Sequence, residues 1–177
     1  MAIKRIIEAP NEILSTRTSK VKFEDQDVVE IVKDLLETTI NQKDPEAAGL
    51  AAPQIGYGKR ICIVREFQEI PNSEKYSITN HVMINPKIIS SSKEMDLDFE
   101  SCLSIPNMYG KVLRHKSIKV IYLDENGKEI KIRAKDFFAR VIQHEIDHLD
   151  GILFTEKILG NLITEEEYNK LIEKDHD

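Results

Sequence analysis

Two histidines one helical turn apart constrain this chain more than any other feature. In QHEIDHLDG, Gln143–Gly151, His144 and His148 are four positions apart and Glu145 directly follows the first. Residues i and i+4 lie about 40° apart around a helix axis, so both imidazoles project from one face and can share a metal ion. The flanks agree with a helix from Asp136 to Asp150. Asp136 is placed as N-cap, Phe137, Phe138, Val141 and Ile142 as apolar positions, and Gly151 as the C′ residue.

The arrangement is H-E-x-x-H, in which the glutamate takes a proton from water whose pKa a metal lowers toward ~7. The competing reading is two hydrogen-bonded structural histidines. A catalytic site needs three protein ligands, so the third decides the class. The extended motif ending in a third histidine keeps Gly151 but meets Phe154 where that histidine belongs. Glu156, Glu165, Glu166, Glu167 and Glu173 are possible carboxylate ligands, none marked by position. Cys102, in the small and apolar stretch ESCLSIP, is the better candidate, against the alternative of a buried, inert thiol.

Elsewhere the pattern predicts an α+β fold, mostly antiparallel strands around the metal-binding helix, with an N-terminal and a C-terminal helix. FEDQDVVEIVKDLLETTINQKD has helical spacing at Val28, Val29, Val32, Leu35, Leu36 and Ile40. KDPEAAGLAAPQIGYG reads as a close-packed loop, and RICIVRE and HVMINPKIIS as strands. SIKVIYLDENGKEIKIRA predicts a hairpin turning at DENG. Thr164 and Glu167 form a capping box opening an acidic terminal helix over 164–177. One domain over 1–177 is expected, since single cores commonly serve roughly 100 to 200 residues.

A net charge of −6 gives no footprint for nucleic acid or an anionic membrane. No window approaches the ~18 apolar residues of a membrane span, and the N-terminus lacks a secretory h-region, so a cytoplasmic location is expected. Two cysteines make no disulfide framework. Cys62 reads as a strand residue in the core. His81, His115 and His176 read as surface histidines, and Arg114 as a solvated strand residue, with contact to a substrate carboxylate as the alternative.

Three stretches in series, GLAAPQIG (49–56), ESCLS (100–104) and QHEIDHLDG (143–151), closely resemble the peptide deformylase family. The likeness runs from about residue 3 to about residue 160. It implies a hydrolase removing the N-formyl group from the formyl-methionine of newly made polypeptides, releasing formate. Cys102, His144 and His148 match the metal ligands and Glu145 the general acid/base. Gln54 and the backbone N–H of Leu103 match the groups that stabilise the oxyanion. Gly49 and Leu50 match the loop meeting the substrate backbone, and Glu100 the carboxylate behind the ligands. Ile105, Tyr109, Ile142 and His144 are expected to line the methionine pocket. Ala47 and Ser101 stand where the family often has glycine, and Tyr109 where some members have arginine.

The resemblance implies one divalent ion, Fe²⁺ physiologically, while Zn²⁺, Ni²⁺ or Co²⁺ also suit a thiolate and imidazole set. It implies action on N-formyl-methionyl nascent chains with a transient ribosome encounter; a monomer is expected, and the charge offers no nucleic-acid motif. Two other readings compete. A glutamate-ligated amide hydrolase would keep its metal without Cys102, whereas a module that only binds formylated N-termini would have no use for Glu145.

Overall fold

The apolar run Ile61–Val64 is long enough, and branched enough, to be buried on both faces, and the fold is built around it. A computed structural model of the chain describes residues 3–22, 25–71, 73 and 75–174. In chain order its elements are α1 (Val28–Asn41), β1 (Gly49–Ala51), β2 (Ile61–Glu69), β3 (Tyr76–Ser91), β4 (Met95–Cys102) and β5 (Ile105–His115). Then follow β6 (Ser117–Leu123), β7 (Glu129–Lys135), α2 (Asp136–Leu149), β8 (Ile163–Thr164) and α3 (Glu165–Lys174). Among the described residues, one sheet has the order β1-β2-β3-β6-β7 and another β4-β5-β8, all pairs antiparallel. The α+β expectation holds.

Alternation along β2 divides the core. Cys62 and Val64 join Met83, Val120, Ile142, Ile146 and Leu149, so this sheet face carries α2. Ile61 and Ile63 face the other way, onto Ile31 and Leu35 of α1 and Leu50 of β1. The register Cys62↔Met83 and Ile63↔Val82 keeps the two sets apart, because side chains alternate faces with period two. Burial pushes the Cys62 thiol well up, as befits a core cysteine.

The hairpin forms at DENG as expected, with Asp124 Oδ1 accepting the N–H groups of Asn126 and Lys128 at 2.9 Å each. The capping box forms too. Glu167 Oε2 accepts the Thr164 N–H at 2.7 Å, and Thr164 Oγ1 accepts the Glu167 N–H at 3.3 Å.

Several local expectations differ. Asp136 is not the N-cap: Lys135 holds that position in extended conformation, without a side-chain capping bond. Because β7 runs directly into α2, the chain turns at Asp136 itself, at φ +50°. On α1, Val29 and Ile40 face outward while Thr38 and Thr39 are buried. His81 and His115 are half-buried, not surface residues. His81 meets Glu66 Oε2 at 2.9 Å and Tyr122 Oη at 3.3 Å, and His115 Nδ1 donates to Ser92 O at 2.8 Å. Phe23, Glu24 and His176 lie outside the described residues. No helix among the described residues is long and apolar enough to cross a membrane.

Candidate metal centre and active site

The helix motif does what its spacing predicts. On α2, positions 137, 141, 144, 145 and 148 share one face, which looks toward the end of β4, with Val141 at its border also reaching the sheet core. There β4 stops at Cys102 and β5 begins three residues on, with a register shift between Glu100 and Cys102. That tight return brings one ligand atom each from Cys102, His144 and His148 within 4.8 Å of one another. Cys102 Sγ lies 3.2 Å from His148 Nε2.

Charge marks the same spot. Burial opposes ionisation of Cys102, yet His148 and His144 outweigh it and pull the thiol well down. Burial likewise opposes a charged His144, but Cys102 and Glu100 raise it well above the ordinary histidine value. Where thiolate and imidazoles crowd together, positive charge is wanted, and a divalent cation supplies it better than a shared proton. Thiolate sulfur with two imidazole nitrogens also matches the three-ligand sets that leave a fourth position open. The residues present therefore fit a metal ion.

Behind the ligands stands a buried ionic network. Glu100 Oε2 accepts from His144 Nδ1 at 3.0 Å, which fixes the proton there and leaves Nε2 for a metal. Arg114 grips Glu100 through two bonds of 2.8 Å, and Arg140 Nη1 adds a third at 2.9 Å. Burial pushes Glu100 upward, but Arg114 and His144 prevail and hold its carboxyl far below the usual range. Arg114 was expected to solvate its strand. Instead it is 4% exposed and also pairs with Asp147, because β5 alternates and turns Gly110, Val112 and Arg114 to the covered side.

Two further groups converge on the ligands. Gln54 Oε1 accepts the Ala51 N–H at 2.9 Å, so its amide NH₂ is aimed at Ser104 Oγ, 3.2 Å away, and Cys102 Sγ, 3.6 Å away. Glu145 is 3% exposed, and its Oε2 has no partner among the described residues. Burial pushes its carboxyl up to about 7. Gly49 makes room for it: a Cβ there would stand 2.6 Å from Glu145 Oε1.

Residues 3–161 match the family model described as polypeptide deformylase. The chain belongs to this family. A peptide deformylase of Roseiflexus sp. (strain RS-1) is 39% identical, covering 96% of each chain. Peptide deformylase 1 of Bacillus subtilis (strain 168) is 36% identical over 94% of this chain and 96% of its own. Among solved structures, a class I type b peptide deformylase from Acinetobacter baumannii with Met-Ala-Ser bound has a TM-score of 0.77 at 32% identity. That match covers 89% of this chain and 99% of the other. Peptide deformylases are metal-dependent hydrolases of protein biosynthesis that remove the N-formyl group from new polypeptides, and the chain is an enzyme of this kind.

In this deformylase the site opens into a cavity of about 470 Å³. Gly49, Gln54, Glu100, Cys102, Leu103, Tyr109, His144 and Glu145 line it, whereas His148 lies deeper, 1% exposed. Two expected lining residues, Ile105 and Ile142, are absent from its wall. The Leu50 side chain belongs to the α1 core, Ile142 to the α2 core, and Ile105 packs beside Val112 and Phe154. Phe99, Phe137 and Val141 supply apolar wall instead. Helical spacing held the signal for two of them, since 137 and 141 lie seven before 144 and 148, while 142 points to the sheet. Of the two positions where glycine is frequent, Ala47 is buried and Ser101 exposed, both on the cavity.

Proposed function

We propose that residues 1–177 act as one catalytic domain in which Cys102, His144 and His148 hold the metal and Glu145 moves the proton. A divalent ion bound there supplies Lewis acidity and brings water toward ionisation near neutral pH, by lowering its pKa to about 7. Every other task falls to this chain's own groups. The observation that carries the reading is Glu145, buried beside the ligands and, among the described residues, lacking a partner for Oε2, with its carboxyl pushed up to about 7.

A carboxylate near that value can accept a proton from the attacking water and return it to the leaving nitrogen. Water adds to the formyl carbon, the C–N bond breaks, and formate and a free amine leave. Gln54, its amide oriented by the Ala51 N–H, and the Leu103 N–H meet the oxygen as it gains charge. Glu100 keeps His144 in the tautomer that ligation needs.

Substrate is read mainly through its backbone. β1 is an edge strand, so one side of the Gly49–Ala51 main chain can pair with an extended peptide while side chains go largely unread. The terminal methionine enters between Phe99, Phe137 and Val141, with Tyr109 farther along the wall. Leu50 contributes through its backbone. Fe²⁺ is the physiological ion in this reading, Zn²⁺, Ni²⁺ or Co²⁺ being accepted by the same ligands. The protein works as a cytoplasmic monomer on N-formyl-methionyl nascent chains, meeting the ribosome transiently.

The test is formate release from formyl-Met-Ala-Ser by protein prepared anaerobically with Fe²⁺, beside Glu145→Gln. Native protein should release formate, and the variant should lose about 10²- to 10⁴-fold in rate while keeping its metal. A variant as fast as the native protein would remove Glu145 from the mechanism.

A further inference from the structure

Along α3, Glu165–Lys174, only Tyr168 is not exposed; even the apolar Leu171 and Ile172 of the same helix face water. That one covered ring rests on two residues of the cavity wall. Tyr168 stacks on Tyr109, ring centroids 4.2 Å apart and 4° from parallel, and meets Phe99 edge-on at 5.1 Å. Phe99 and Tyr109 line the cavity, whereas Tyr168 stands behind them, off the lining.

The chain reaches this arrangement through β8. Its register, Met108↔Thr164 and Tyr109↔Ile163, sets the strand beside β5, and α3 begins directly after Thr164. Tyr168 lies one helical turn beyond that capping threonine, so the helix carries its ring back over Tyr109. Alternation decides which face the ring meets. Gly110, Val112 and Arg114 turn to the covered side of β5, and Glu100 to that of β4, which leaves Tyr109 and Phe99 on the opposite face. Farther along that face Met95, Leu97 and Leu113 are exposed, while Phe99 and Tyr109 are half-buried. Lys111, opposite Phe99 in register, adds its ammonium 5.1 Å from the Phe99 ring centroid.

We infer that Tyr168 is a positioning residue for substrate: from behind the wall it holds Phe99 and Tyr109 in the orientation that the bound peptide meets. The inference rests on the deformylase reading and adds to it a residue outside the cavity. A ring on an open strand face has other rotamers to visit, and fixing it on binding costs free energy. A ring already held by stacking has less freedom to lose. The reacting groups are held by other means, Glu100 by Arg114 and Arg140 and Gln54 by the Ala51 N–H, so the effect falls on substrate binding and not on the chemical step.

The experiment measures KM and kcat for formate release from formyl-Met-Ala-Ser by the native protein, Tyr168→Ala, Tyr168→Phe and Leu171→Ala, all prepared anaerobically with Fe²⁺. In Tyr168→Ala, KM should rise about 3- to 10-fold with kcat within about twofold, the scale of one or two aromatic pairs lost from binding. Tyr168→Phe, which keeps the ring, should retain the native KM. Leu171→Ala, exposed on the same helix, should retain it too. A merely structural role gives a different pattern, because a partly unfolded population lowers kcat per total protein and leaves KM where it was. That pattern, an unchanged KM in Tyr168→Ala, or an equal rise in Tyr168→Phe or Leu171→Ala, would overturn the inference while leaving deformylation intact. No formate from the native protein would reject the underlying activity and the inference with it.

Discussion

Two sets of carboxylates lie behind and around one cavity, and they are treated in opposite ways. The inner set, Glu100 and Asp147, is buried and wrapped by cations: Arg114 and Arg140 on the first, Arg114 and Lys157 on the second. Of the rim set, Glu8, Asp44 and Glu165 are exposed and face no cation among the described ion pairs. The contrast follows from solvation. A charge taken out of water must be paired, or it costs several kcal/mol, roughly 3 to 5 when one partner of a buried pair is removed. A charge left in water needs no partner and is free to act on whatever arrives. Glu145 belongs to neither set, being buried like the first and unpaired like the second, and that combination is what pushes its carboxyl up to about 7.

The comparison is most easily broken at Arg114. Arg114→Met strips two bonds from Glu100 and one from Asp147, and should destabilise the protein by about 3 to 5 kcal/mol, read as a fall in Tm. With Glu100 less constrained, His144 loses its fixed orientation and metal affinity should drop about 10- to 100-fold. A variant as stable and as metal-tight as the native protein would mean that the inner ring is no more structural than the rim.

Next in size is Gln54→Ala, which removes a donor aimed at the site without emptying a buried charge. The expected loss is about 2.7 to 4 kcal/mol of transition-state stabilisation, appearing in turnover more than in KM. Equal loss of affinity with unchanged turnover would make Gln54 a binding group only. Gly49→Ala follows. Its Cβ would stand 2.6 Å from Glu145 Oε1 and 2.9 Å from Cδ, so the carboxylate must shift. Overpacking of this kind costs about 1 to 3 kcal/mol in stability, and deformylation should fall well beyond what that loss explains. Unchanged activity would show that Glu145 has room to move without consequence.

How far the sequence carried the argument depended on the range of the contacts involved. Helix α2, its stop at Gly151, the hairpin at DENG and the cap at Thr164 depend on residues within a few positions of one another, and all were legible. Arg114 was misread because its partners are Glu100, fourteen positions back, and Asp147, thirty-three ahead. Only the alternation Gly110, Val112, Arg114 hinted that it turned inward. The histidine pair came from motif spacing and Cys102 from the family resemblance, whereas the apolar wall needed the orientation of α2 on its sheet, which sends Ile142 into the core alone and lets the adjacent Val141 reach the cavity as well. The mouth was invisible for the same reason. Glu165 and Asp44 are far apart in the chain, and the pairing of β8 with β5 is what brings Glu165 to the cavity wall.

The smallest effect belongs to the rim. Glu165 lies in the first turn of α3, where an anion interacts favourably with the helix dipole by about 0.3 to 1 kcal/mol at most. Glu166 and Glu167 remain in that turn, and the capping box runs through Glu167, so Glu165→Gln should change stability by less than about 0.5 kcal/mol. Thermal unfolding checks this directly. A loss comparable to that of Arg114→Met would place Glu165 among the structural carboxylates and erase the distinction between the two sets. An unchanged Tm would sharpen it, because a charge left in water without a partner contributes little to holding the fold together.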